Sequence, residues 1–158
     1  MVHFSLVAMG GTFDLLHRGH ITLLSHAFEI SEIVLIGLTS DSFAIKNGKN
    51  LKNNFHTRLE NLKKIIDENF SDKKYEIKKL DNDFGPAVFE KNVEALIVSE
   101  ETKHQGDVLN NLRKERDLPE VSVIVVPMFL AKDGERVSST RMRNSEIDSE
   151  GNLLSIDK

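Results

Sequence analysis

The amino-acid sequence predicts an α/β domain built on a doubly wound, Rossmann-like parallel sheet. Short β-rich apolar runs alternate with helix-spaced apolar residues along the chain. Several of those runs are nearly continuous in apolar residues, as strands covered on both faces require. A glycine-bearing string, Gly10-Gly11-Thr12-Phe13-Asp14-Leu15-Leu16-His17-Arg18-Gly19-His20, follows the first run and precedes the first helical pattern. Sheets of this kind hold phosphates at that place.

Taken in order, Phe4–Met9 is the first strand, and Ile21, Leu24 and Phe28 mark the apolar face of the helix after it. Ile33–Leu38 is the second strand. The polar stretch from Lys46 to Asn54 reads as a mobile loop. Phe55, Leu59, Leu62 and Ile66 form a second helical stripe, followed by strands at Tyr75–Leu80 and Ala95–Val98. Val108, Leu109 and Leu112 suit a third helix before a strand at Val121–Val126. Such alternation implies right-handed crossovers, with ligands beyond the carboxyl ends of the strands.

At 158 residues the chain suits a single domain over 1–158 with its own core, residues 145–158 reading as a flexible tail. The absence of cysteine excludes a disulfide framework and a thiolate metal site. A formal net charge of −4 argues against a general nucleic-acid binder. The longest apolar stretch, Val121 to Ala131, is broken by Ser122 and Pro127 and is too short to span a bilayer, so no membrane association is expected. Met1 to Ser5 lacks the basic region of a signal peptide, and a cytoplasmic location is expected. Oligomeric state is not legible.

The first motif has a chemical logic. Gly10 and Gly11 let the backbone turn and present bare N–H groups to an anion. His17 and His20 are three residues apart and face the same way on a helix opening, with Gly19 leaving room for a ligand. Two imidazoles beside a helix N-terminus suit a polyphosphate and the charge that develops when one of its bonds breaks. Near the other end, Ser138, Ser139 and Thr140 precede Arg141 and Arg143. One hydroxyl suffices for a helix cap, whereas three with two arginines suit phosphate oxygens. Lysines 46, 49 and 52 follow the second strand, where a cation would offset repulsion between two anionic reactants, unless they are only solvated. After the fourth strand, Ser99, Glu100 and Glu101 suit ribose hydroxyls, a neighbouring cation, or a helix dipole.

Gly11-Thr12-Phe13-Asp14 with His17-x-Gly19-His20 resembles the HxGH signature of the nucleotidyltransferase superfamily, and Val137 to Arg143 looks like its second signature. Between them, Gly37 to Asp41, Asp83 to Ala87 and Val98 to Thr102 resemble the archaeal and eukaryotic type of phosphopantetheine adenylyltransferase. The resemblance covers about residues 5 to 151. It implies adenylyl transfer from ATP, with Mg²⁺, to 4′-phosphopantetheine, giving dephospho-coenzyme A and pyrophosphate. It further implies His17, His20, Thr12 and Lys46 in catalysis, with Lys49 the next choice for the acceptor phosphate. The nucleotide would lie against Gly10, Gly11, Thr12, Phe13, His17, Gly19, His20, Ser99, Glu100, Glu101, Ser138, Ser139, Thr140, Arg141 and Arg143. Glu100 and Glu101 stand where the bacterial enzymes carry arginines. No protein-held metal is expected, since His17 and His20 lack a plausible third ligand. A glycerol-phosphate cytidylyltransferase, a flavin mononucleotide adenylyltransferase or a non-catalytic nucleotide sensor on the same fold are the alternatives.

Overall fold

The computed structural model describes residues 3–48, 50–82, 85, 90–100 and 102–126. Five strands, β1 (Phe4–Gly11), β2 (Ser31–Thr39), β3 (Lys74–Leu80), β4 (Ala95–Ser99) and β5 (Ser122–Val126), form one sheet in the order β3-β2-β1-β4-β5. All four neighbouring pairs are parallel. The helices are α1 (Arg18–Ile30), α2 (Asp41–Lys46), α3 (Phe55–Asn69) and α4 (His104–Glu115).

The strand periodicity sorts the core into two layers. Val7 and Met9 of β1, Val34, Ile36 and Leu38 of β2 and Ile97 of β4 pack with Leu24 and Phe28 of α1 and Leu62 and Ile66 of α3. The intervening Ala8, Leu35, Leu96 and Val98 pack with Leu109 of α4, so the sheet is covered on both sides. The doubly wound arrangement expected from the sequence is therefore present, and strand bounds differ from expectation by one or two residues. β1 runs on through Gly11, pairing Gly10 with Gly37 and Gly11 with Leu38, so the chain leaves the sheet at Thr12 and not at the glycines. Helix α2 had no periodic signal because it spans six residues.

Among the described residues, two arginines lie wholly inside. Arg113, near the end of α4, donates through Nε to the Pro119 carbonyl at 2.8 Å, through Nη1 to that of Glu90 at 2.9 Å, and through Nη2 to that of Val93 at 3.4 Å. It thereby ties together the segments entering β4 and β5, at the amino end of the sheet. Burial lowers its pKa, while its delocalised charge persists at any physiological pH. Arg58, in the first turn of α3, does the corresponding work at the carboxyl end.

Close packing of β2 against the end of β3 depends on Gly37, where a Cβ would lie 2.6 Å from Leu80 Cγ and Cδ1. Gly37→Ala should destabilise the fold by about 1–3 kcal/mol in chemical denaturation. Because the clash is with one side chain, Gly37→Ala combined with Leu80→Ala should lose less than the sum of the two single losses.

Candidate active site

β1 pairs with β2 at seven positions, up to Gly11↔Leu38, but with β4 at two, Val7↔Ala95 and Ala8↔Leu96. Beyond Ala8 the carboxyl ends of β1 and β4 are not paired. That is also where the strand order reverses direction, the position at which open α/β sheets bind ligands. The segment from Thr12 to His20 leaves β1 at this opening, and Ser99 ends β4 on its other side.

The turn is compact because Phe13 adopts φ +50°, the left-handed region, and its buried ring folds back over Gly11. A Cβ on Gly11 would meet that ring at 2.9 Å, so glycine is needed here for close approach. The Phe13 ring also lies 4.9 Å from the ring of His20. His17 is the N-cap of α1: its Nδ1 accepts from the Gly19 amide at 3.0 Å, while the His17 amide donates to His20 Nδ1 at 3.3 Å. The two imidazoles stack with centroids 3.9 Å apart and planes 24° from parallel. Because each Nδ1 is an acceptor, the neutral rings carry their protons on Nε2. The reciprocal cap thus turns two histidines into oriented Nε2–H groups beside a positive helix end.

Asp14, 2 % exposed, receives the segment that leads into α3. Its Oδ2 accepts from the Lys52 amide at 2.9 Å and its Oδ1 from the Asn53 amide at 3.0 Å. Asn53 Nδ2 donates to the Asp14 carbonyl at 3.1 Å. The polar stretch read as a loop from Lys46 therefore starts inside a helix and is anchored near its far end. Lys46 is helical at the end of α2, exposed, and residues 52 and 53 are held by a carboxylate 38 and 39 positions away.

Arg58, with no exposed surface, binds four places at once. Nε donates to the Asn53 carbonyl at 3.1 Å, and Nη1 to the Thr12 carbonyl at 2.9 Å and to Thr39 Oγ1 at 3.4 Å. Nη2 donates to Asp41 Oδ1 at 2.7 Å, and this hydrogen bond, partly opposed by desolvation, holds the Asp41 carboxyl below the usual carboxylate range. Thr39 Oγ1 in turn donates to Thr12 Oγ1 at 3.1 Å.

Of the residues expected from sequence, Gly10, Gly11, Thr12, Phe13, His17, Gly19 and His20 gather at the end of β1. Lys46 leaves the neighbouring strand on α2. Ser99 sits in a turn closed by Thr102, whose Oγ1 accepts from the Ser99 amide at 3.0 Å. Glu100 pairs with Lys103 at 3.3 Å, satisfying a neighbouring cation; α4 itself has Lys103 as N-cap and Asp107 in its first turn. Glu101, Lys49, Asp83, Phe84, Pro86, Ala87, Ser138, Ser139, Thr140, Arg141, Arg143 and the 145–158 tail lie outside the described residues. The sequence placed Asp14 and Thr39 inside motifs without giving either a role, and it missed Asn53 and above all Arg58. The signal for Arg58 was its position, three residues after Phe55 and four before Leu62, inside an apolar stripe.

A parallel doubly wound sheet with a glycine–histidine turn at its switch point defines a nucleotide-binding α/β protein of the nucleotidyltransferase kind. Residues 8–145 match the cytidylyltransferase-like family. The chain is 39% identical over 151 residues to phosphopantetheine adenylyltransferase of Methanothermobacter thermautotrophicus, covering 96% of this chain and 90% of that one. It is 36% identical over 148 residues to the protein of the same name from Methanopyrus kandleri, covering 94% of each. A solved structure of a protein of unknown function from Archaeoglobus fulgidus has a TM-score of 0.70 at 30% identity, over 78% of this chain and 89% of that one. The chain belongs to the cytidylyltransferase-like family, among its phosphopantetheine adenylyltransferases.

Asp14→Asn would turn an amide N–H toward one of the two backbone amides that the carboxylate now receives. We expect a loss of about 1–3 kcal/mol in stability. Amide exchange at Lys52 and Asn53 should accelerate while Leu96 to Val98 in β4 keep their protection, as hydrogen-exchange mass spectrometry or NMR would read.

Proposed function

We propose that this chain transfers the adenylyl group of ATP to 4′-phosphopantetheine, giving dephospho-coenzyme A and pyrophosphate. The observation that carries the reading is the His17–His20 pair at the switch point, each ring held to backbone through Nδ1 and stacked on the other. The names of the archaeal relatives supply the acceptor. The acceptor's terminal phosphate attacks the α-phosphorus of ATP in line. That phosphate is already an anion at neutral pH, so no general base is required. Catalysis then consists of positioning and of stabilising charge on the α-phosphate and the leaving oxygen.

In this mechanism His17 and His20 donate from Nε2 to the α-phosphate and the bridging oxygen. Thr12 orients the reacting phosphates. Lys46 steers the acceptor phosphate from the β2 side of the cleft, with Lys49 the next choice. Gly10, Gly11, Phe13 and Gly19 shape the phosphate-facing turn, and Ser99, Glu100 and Glu101 are assigned to the nucleoside on their sequence pattern. Ser138, Ser139 and Thr140 with Arg141 and Arg143 hold the leaving pyrophosphate, a role that rests on their sequence pattern. ATP enters as its Mg²⁺ complex, because magnesium commonly binds substrate phosphates with few protein ligands. We take the chain as one domain, which the one sheet among the described residues supports. No helix among the described residues is long and apolar enough to cross a membrane, and the soluble anionic substrates favour a cytoplasmic location.

Pyrophosphate release with ATP or CTP against a panel of phosphorylated acceptors tests the reading. ATP with 4′-phosphopantetheine should turn over and CTP should substitute poorly; turnover with CTP and glycerol phosphate, and none with phosphopantetheine, would overturn it. His20→Ala should lower kcat about a hundredfold or more while ATP affinity changes little, because the lost donor acts on charge that grows in the transition state.

A further inference from the structure

Arg58 does more than fill a buried position, because its hydrogen bonds form a directed chain. A guanidinium has donors and no acceptor. Thr39 Oγ1, 3.4 Å from Arg58 Nη1, therefore accepts there. The hydroxyl has one proton, and that proton goes to Thr12 Oγ1 at 3.1 Å. Thr12 Oγ1 is then an acceptor toward the protein, and its own proton is left for the opening beyond β1. The same Arg58 Nη1 holds the Thr12 carbonyl at 2.9 Å, so one nitrogen sets both the backbone and the hydroxyl polarity of Thr12. Asp41 locks the other end of the fork at 2.7 Å, and the Asn53 carbonyl locks Nε at 3.1 Å.

We infer that Arg58 and Thr39 are positioning residues that orient the Thr12 hydroxyl as a hydrogen-bond donor to a phosphate oxygen of the bound nucleotide. The inference rests on the adenylyltransferase reading for its ligand and on the three hydrogen bonds for its direction. A buried cation at the head of the chain polarises each hydroxyl in turn, so the last O–H is a better donor to an anion than an isolated threonine. Neither Arg58 nor Thr39 needs to touch the substrate. Lysine cannot replace Arg58, since a single ammonium lacks the planar fork that spans Thr12, Thr39, Asp41 and Asn53.

The experiment compares wild type, Thr39→Val, Thr39→Ser, Arg58→Lys and the Thr39→Val/Arg58→Lys pair. It measures kcat with ATP and phosphopantetheine, ATP affinity by calorimetry, and thermal melting. Wild-type turnover checks the activity itself, so its absence would overturn the adenylyltransferase reading and this inference with it. Given wild-type turnover, Thr39→Val should lower kcat about tenfold or more with ATP affinity within about threefold, and Thr39→Ser should stay within about threefold of wild type. Arg58→Lys should also lower kcat, and the double variant should lose less than the product of the two single losses. Near-normal kcat in Thr39→Val would overturn the inference. So would equal losses in Thr39→Ser and Thr39→Val, which would assign the effect to packing. Multiplicative losses in the double variant would mean that Arg58 and Thr39 act independently. If Arg58→Lys fails to fold, the Thr39 pair alone decides between these outcomes.

Discussion

A guanidinium sealed from water persists only when its N–H groups find partners, and Arg58 finds them on four separate segments. Those segments are the turn after β1, the last residue of β2, the first residue of α2 and the approach to α3. None of them is regular structure with its own complete set of hydrogen bonds. Their relative placement follows from the need to satisfy one buried charge, and the opening above the sheet takes its shape from that placement. Asp14 adds the complementary device, a buried carboxylate that receives two amides from the same approach to α3. A cation and an anion, each buried and each directed at backbone, thus hold the irregular half of the site.

The other half is held by the helix. Side chains that accept at an N-cap are commonly serine, threonine or aspartate. Here histidine does it, and the substitution matters chemically: a capping imidazole still has a second nitrogen to present. His17 and His20 each commit Nδ1 to backbone, which leaves Nε2 as the nitrogen to which the proposed chemistry is assigned. The stacking of their rings at 3.9 Å, backed by Phe13, limits rotation. Structural capping and the phosphate-binding role proposed for the pair therefore use one arrangement, with no conflict between stability and function at this point.

The two ends of the sheet show how differently buried arginines can be used. Arg113 binds the carbonyls of Glu90, Val93 and Pro119 at the amino end, where strands enter and no ligand is expected. Arg58 binds carbonyls too, but also a threonine hydroxyl and a carboxylate, at the end where ligands bind. The family relationship extends over residues 8–145, which includes both.

By itself the sequence determined the class and most of the plan. Apolar runs at Phe4–Met9, Ile33–Leu38 and Ala95–Val98 could bury both faces only in a parallel sheet, and the Gly11 to His20 string could serve a phosphate only at a strand-to-helix turn. These are local properties, set by periods of two and 3.6 residues and by spacings of three or four. What the tertiary structure alone decided is how distant residues share a proton or a charge. Arg58 reaches Thr12 across 46 positions, and Asp14 reaches Asn53 across 39. No periodicity announces such a bond, because its energy comes from burial, and burial exists only once β1, β2 and α3 have packed together.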